Sequence, residues 1–180
     1  MGAAPDYAAA AKALGTALAC QKITLVYGGA HVGLMGSLAN ATLAAGGEVV
    51  GVIPQSLVEK ELAHKSLSQL VVVSTMHERK AMMSELADGF IAMPGGLGTL
   101  EEMAEMLTWA QLGLHRKPCA FLNTRGYYDH VRSFLIHAVA EGFMRQQHAD
   151  MPLVSADPLD LLTQMHGYKP RHTEKWSNRA

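Results

Sequence analysis

Short apolar runs alternate with helical patterns along almost the whole chain, and two of those runs end directly in glycine-rich turns. Residues 23–27, 48–53, 70–73, 89–93 and 119–122 read as strands, with a last short one at 153–154. Residues 7–19, 32–45, 75–87, 99–112, 128–141 and 158–165 read as helices; residues 55–68 are polar and less regular. Strands that are apolar on both faces and separated by helices require a parallel sheet covered on both sides. The expected fold is therefore α/β, a three-layer, Rossmann-like doubly wound parallel sheet. A chain of 180 residues is enough for one such domain. Residues 1–168 are assigned to it, and the polar stretch 169–180 to a C-terminal tail. The chain opens on a helix, whereas a doubly wound nucleotide-binding domain opens on a strand and a glycine turn.

Composition narrows the function classes. A formal net charge of -1 supplies no global field for nucleic acid or an anionic membrane, so neither is expected as a partner. The two cysteines, Cys20 and Cys119, form no disulfide framework and read as small buried hydrophobes. The alanine-rich start is interrupted by Asp6 and Lys12 and lacks a basic leader, and no apolar run is long enough to cross a membrane. A cytoplasmic location is the resulting expectation. The histidines and cysteines show no metal-binding spacing, so no metal is expected.

The first glycine turn, Tyr27-Gly28-Gly29-Ala30-His31-Val32-Gly33-Leu34-Met35-Gly36, connects a strand to a helix. Gly28, Gly29 and Gly33 can bring backbone amides close to a ligand at a helix N-terminus, where an anion is favoured. The same glycines equally suit a tight turn with close helix–sheet packing. The turn is neither a dinucleotide fingerprint nor a P-loop: the G-x-G-x-x-G spacing, the acidic residue after the next strand and the Gly-Lys-Ser/Thr are all missing.

The second turn, Pro94-Gly95-Gly96-Leu97-Gly98-Thr99, opens a helix with unusual content. Thr99 is placed to cap that helix, with Glu102 three residues on as in a capping box. Glu101, Glu105 and Thr108 share one side of the helix, and Leu100, Met103, Ala104 and Leu107 share the other. Carboxylates thus crowd a turn whose amides suit a phosphate. A pure anion site gains nothing from them, whereas a site that binds a phosphate and also stabilises a developing cation does.

Arg79 heads an otherwise apolar helical stripe with Met82, Met83 and Leu86, flanked by His77 and Lys80. Two readings are open: a stem packed on the core with its head in water, or a planar fork aimed at a phosphate or carboxylate.

Four motifs in order now become decisive: residues 26–36, Met76-His77-Glu78-Arg79-Lys80, residues 94–102, and Leu107-Thr108-Trp109-Ala110-Gln111-Leu112-Gly113. Together they resemble the Lonely Guy family of cytokinin-activating phosphoribohydrolases, long mislabelled as possible lysine decarboxylases. The resemblance spans about residues 5–143. It implies a Rossmann-like homodimer that uses water and no cofactor to cleave N6-substituted adenosine 5′-monophosphate into free base and ribose 5-phosphate. It implies catalytic roles for Arg79 and Glu102. Substrate contacts are implied for Glu61, Lys80, Gly95, Gly96, Leu97, Gly98, Thr99, Leu100, Glu101 and Thr108. It also implies an apolar strand and a Cys-Gly-Ser-type turn ahead of Gly2-Ala3-Ala4-Pro5-Asp6-Tyr7, which this sequence does not contain; that strand is expected near the sheet centre.

The expected chemistry follows from the site. Glycosidic cleavage builds positive charge on the sugar, which Glu102 stabilises or exploits by activating water. Glu101 orients ribose hydroxyls, amides from Gly95 to Thr99 hold the 5′-phosphate, and Arg79 fixes geometry. A non-hydrolytic nucleotide or molybdenum-cofactor carrier of the same fold is the alternative. No lysine stands where a pyridoxal-phosphate Schiff base would need one.

Overall fold

The computed structural model describes residues 2–60 and 63–170, and all statements below concern those residues. The chain forms two compact units, Met1–Ala87 and Asp88–Ala180.

The first unit runs α1 (Pro5–Cys20), β1 (Leu25–Tyr27), α2 (Gly33–Ala44), β2 (Val49–Pro54), α3 (Gln55–Val58), β3 (Gln69–Val73) and α4 (Met76–Leu86). Its strands pair in parallel in the order β1-β2-β3. The central strand carries the core: Val49, Val52 and Ile53 are fully buried. The buried face of α1 consists of Ala11, Leu14, Gly15, Ala17 and Leu18. Gly15 lets α1 cross α2 closely, since a Cβ there would lie 2.6 Å from the Leu38 carbonyl oxygen. At the same crossing the buried Thr42 hydroxyl donates back to that carbonyl at 3.0 Å. Cys20 differs from expectation and is exposed, because it lies two residues beyond Leu18 and so on the far side of the helix. Residues 55–58 form a short helix rather than irregular chain.

Gly36, in the first turn of α2, is a packing glycine. A Cβ there would run into the carbonyl of His31. Helix propensity alone makes alanine about 1 kcal/mol better than glycine. The backbone clash should reverse that sign, so Gly36→Ala is expected to lose roughly 1–3 kcal/mol of stability. A urea midpoint equal to or above that of the parent would show that the His31 turn opens freely.

The second unit runs β4 (Phe90–Ala92), α5 (Leu97–Gln111), β5 (Cys119–Leu122), a 3-10 turn (Thr124–Gly126), α6 (Asp129–Ala140), α7 (Gln146–Ala149), β6 (Leu153–Ser155) and α8 (Pro158–His166). Its strands are again parallel, in the order β4-β5-β6, and every residue of β5 is buried. Ala92, Met103, Met106, Cys119, Phe121 and Tyr128 form its core. Met103 is core, as the sequence implied. Ala104 is exposed, because the buried stripe of α5 runs through Met103 and Met106 instead. The 3-10 turn and α7 are absent from the sequence reading.

Both units thus have the parallel sheet and flanking helices of an α/β fold. None of the helices is long and apolar enough to cross a membrane. Residues 171–180 of the expected tail lie outside the described residues.

Candidate functional site

In the first unit the end of β1 meets α4. Tyr27 and Gly28 are buried, and Gly29 and Gly33 take positive φ of 74° and 63°. Both glycines adopt a conformation that side-chain-bearing residues rarely reach. Gly28 has a different reason to be glycine: a Cβ there would collide with the Arg79 guanidinium. Arg79 is itself only 8% exposed, so its head is not in water and snorkelling does not describe it. Its ε N–H donates to the Val52 carbonyl of β2 at 3.2 Å, and Nη1 approaches the Met76 sulfur at 3.6 Å. A buried guanidinium is costly unless its position is fixed by such partners. Lys80, the next residue on α4, is half-buried.

His64 fastens the same turn from behind. Its backbone N–H donates to the Gly29 carbonyl at 2.9 Å, beside an antiparallel bridge between Ala30 and Ala63. Its Nδ1 accepts from the Ser66 N–H at 3.2 Å, which leaves Nε2 to donate to Asn40 Oδ1 at 2.9 Å. Burial, and secondarily the nearby His31, lower its pKa and favour this neutral form. Glu61, expected as a substrate contact, lies outside the described residues.

In the second unit α5 begins at Leu97, two residues before the expected start, with Gly96 as its N-cap and no side-chain cap. Thr99 is therefore the third residue of the helix and not its cap, and no capping box joins it to Glu102. A Thr cap with a Glu three residues on is found at α4 instead. There Thr75 accepts from the Glu78 N–H at 3.1 Å, and Glu78 accepts from the Ser74 N–H at 2.8 Å. Glu102 is thus not the partner in a capping box.

The start of α5 is open. The amides of Leu97, Gly98 and Thr99 precede the first intrahelical bond, which runs from the Leu100 N–H to the Gly96 carbonyl at 3.2 Å. Gly96 and Gly98 are exposed, with nothing within 4 Å of where a Cβ would stand, and Leu97 is 85% exposed. Thr99 folds back over Gly95, leaving no room for a Cβ there. Around this turn Glu101 is exposed and Glu102 and Glu105 are half-buried. Thr108 is exposed, and its hydroxyl donates to the Ala104 carbonyl at 2.7 Å. Free amides at the positive end of a 15-residue helix, followed by carboxylates one turn on, form a bipolar surface.

Two residues that hold this turn went unread in the sequence. The Tyr127 hydroxyl donates to the Gly95 carbonyl at 2.6 Å, and the Tyr128 hydroxyl to the Met93 carbonyl at 2.5 Å. Both come from the segment after β5, which doubles back through positive φ at Arg125 and Gly126. Asn123 pins it by accepting from the Tyr128 N–H at 2.7 Å and donating to Asp129 at 2.8 Å. Tyr128 is fully buried, its ring 4.5 Å from Phe121, and burial raises its pKa well above the ordinary phenol value. It is a neutral donor at any physiological pH.

Comparison with known proteins places the chain. Residues 35–165 match the family model described as possible lysine decarboxylase. A cytokinin riboside 5′-monophosphate phosphoribohydrolase of Rhodococcoides fascians is 52% identical over 87% of this chain and 79% of its own. One from Arabidopsis thaliana is 42% identical over 97% of this chain and 82% of its own. Among solved structures, the molybdenum cofactor carrier protein of Chlamydomonas reinhardtii is similar, with a TM-score of 0.68 at 20% identity, covering 92% of this chain and 91% of that one. The molybdenum cofactor binding protein of Rippkaea orientalis has a TM-score of 0.69 at 22% identity, covering 92% and 89%. At those identities the structural likeness speaks for the fold alone. The family match and the sequence relatives together cover most of the chain, and the chain belongs to the Lonely Guy family, the one whose model still carries the description of a possible lysine decarboxylase.

Proposed function

We propose that this protein hydrolyses the N-glycosidic bond of an N6-substituted adenosine 5′-monophosphate, releasing free base and ribose 5-phosphate. The observation that carries the reading is the start of α5, where open amides stand one turn from Glu101 and Glu102 in a chain 52% identical to a phosphoribohydrolase. In the reaction the C1′–N9 bond breaks, the base departs and takes up a proton, and a water oxygen bonds to C1′. The amides from Gly96 to Thr99 serve the 5′-phosphate, as helix N-termini serve anions generally. Glu102 stabilises the cationic sugar or takes the proton of the attacking water, and Glu101 orients ribose hydroxyls. Arg79 is a positioning cation, held by Val52 against the glycine turn of β1. The roles of Glu61, Lys80 and Thr108 rest on the family resemblance.

The fold of molybdenum-cofactor carriers permits a binding-only alternative. The carboxylates on α5 speak against it, because a passive phosphate carrier has no use for them beside its anion site.

Incubation with N6-isopentenyl-adenosine monophosphate, AMP and adenosine tests the proposal by release of free base. Both monophosphates are expected to react. Adenosine should lose turnover as well as binding, because the remote phosphate supplies binding energy to the reacting centre. Equal rates on adenosine and AMP would refute the phosphate assignment, and no base from any monophosphate would refute the hydrolase.

A further inference from the structure

We infer that Tyr127 is a positioning residue for the phosphate end of the substrate, acting by aiming one backbone amide; the inference rests on the phosphate role given above to the start of α5. In a trans peptide the C=O and N–H point in opposite directions. The Gly95 carbonyl and the Gly96 N–H belong to one such unit, and the structure has no cis peptide. The Tyr127 hydroxyl, 2.6 Å from the Gly95 oxygen, therefore fixes where the Gly96 N–H points. A glycine pair offers that plane little other restraint, since neither residue carries a side chain. Without the phenol the Gly95–Gly96 peptide loses the bond that holds its oxygen away from the cradle, and rotation about the two glycines presents that oxygen, which repels an anion. With it, the oxygen is held on Tyr127 and the N–H joins the amides of Leu97 to Thr99. A hydrogen bond to the carbonyl also polarises the peptide and strengthens its N–H as a donor.

Tyr128 supplies an internal control. Its hydroxyl makes the analogous bond at 2.5 Å to the Met93 carbonyl. The peptide following Met93 ends on Pro94, which has no N–H to aim. Tyr128 is moreover a fully buried core residue, its ring packed on Phe121. Two adjacent phenols thus make the same kind of bond to the same turn, and only one of those bonds controls an anion donor.

The experiment is binding of ribose 5-phosphate and of adenosine, by calorimetry, to the parent, Tyr127→Phe and Tyr128→Phe, with thermal unfolding of each. Tyr127→Phe is expected to weaken ribose 5-phosphate roughly three- to tenfold, the value of one hydrogen bond, while adenosine binding is unchanged. In turnover the same variant should lower kcat/KM for AMP by roughly the same three- to tenfold, because phosphate binding energy supports the reaction. Tyr128→Phe should lower the melting temperature and weaken both ligands alike or neither. Overturning results are a Tyr127→Phe protein that binds ribose 5-phosphate like the parent, or one that loses both ligands equally. If the parent binds ribose 5-phosphate but releases no base, the hydrolase reading falls and the binding arms still judge Tyr127. If the parent binds no ribose 5-phosphate, the cradle and the role of Tyr127 fall together.

Discussion

Glu102→Gln is expected to lower base release from AMP by about 10²–10⁴-fold, the range lost when a general acid–base group is removed, while the protein unfolds within about 1 kcal/mol of the parent. The two halves of that expectation have different origins. The catalytic half follows from charge: glutamine keeps the size of glutamate and can still accept a hydrogen bond, but it neither stabilises an oxocarbenium-like sugar nor takes a proton from water. The stability half follows from where α5 begins. Had Thr99 been the cap, Glu102 would have closed a capping box and its loss would have weakened the helix. With Gly96 at the cap, Glu102 lies six residues into the helix, beyond the orphan amides, and serves no cap. Steady-state kinetics and a urea titration on the same preparation read both halves. Wild-type turnover in the glutamine variant would remove Glu102 from the chemistry. A stability loss of several kcal/mol would make it a structural residue whose effect on rate is indirect. Glu101→Gln is a useful contrast, since an exposed residue that orients ribose hydroxyls should chiefly affect KM.

The parallel architecture was legible because its signal is local. A strand apolar on both faces, such as Cys119–Leu122, reads the same in one dimension as in three. The glycine turns were legible for the same reason, since Gly28 and Gly95 sit where strand patterns stop and helix patterns start. What the sequence misplaced was the first turn of α5. Thr99 and the observed cap Gly96 are comparable caps, but a threonine with a glutamate three residues on carries the more visible local signal. The backbone instead turns at Gly96 and leaves Leu97 in solvent, with the adjoining Gly95 carbonyl held by Tyr127 from 32 residues away. The tyrosines were invisible for another reason. Tyr127 reaches an oxygen 32 residues earlier and Tyr128 one 35 residues earlier, and nothing in a Tyr-Tyr pair indicates which carbonyls it will hold. Arg79 lies between these cases. Its place on an apolar stripe was readable as an anomaly, but the choice between solvent and burial depended on Val52, 27 residues away.

That burial makes Arg79→Lys the most informative change in the first unit. Lysine preserves the charge and much of the stem, so a role limited to electrostatic attraction would survive it. The geometry around Arg79 asks for more. One guanidinium donates from its ε N–H to the Val52 carbonyl and at the same time lays its Nη2 end against Gly28. A lysine has no donor at the ε position of the stem and only one ammonium, which cannot occupy both places. Turnover is expected to fall about a hundredfold, the scale on which a displacement of about 1 Å acts. Stability should fall by roughly 1–3 kcal/mol, because the Val52 carbonyl loses its charged donor. Gly28→Ala approaches the same contact from the other side, since its methyl group occupies the volume of the guanidinium. If the register of Arg79 against Gly28 is what matters, each single variant already destroys it. Arg79→Lys combined with Gly28→Ala should then be little worse than the poorer single variant, a strongly non-additive cycle. Additive losses would mean that Gly28 and Arg79 act separately, and a lysine variant within about threefold of the parent would reduce Arg79 to a charge whose position does not matter.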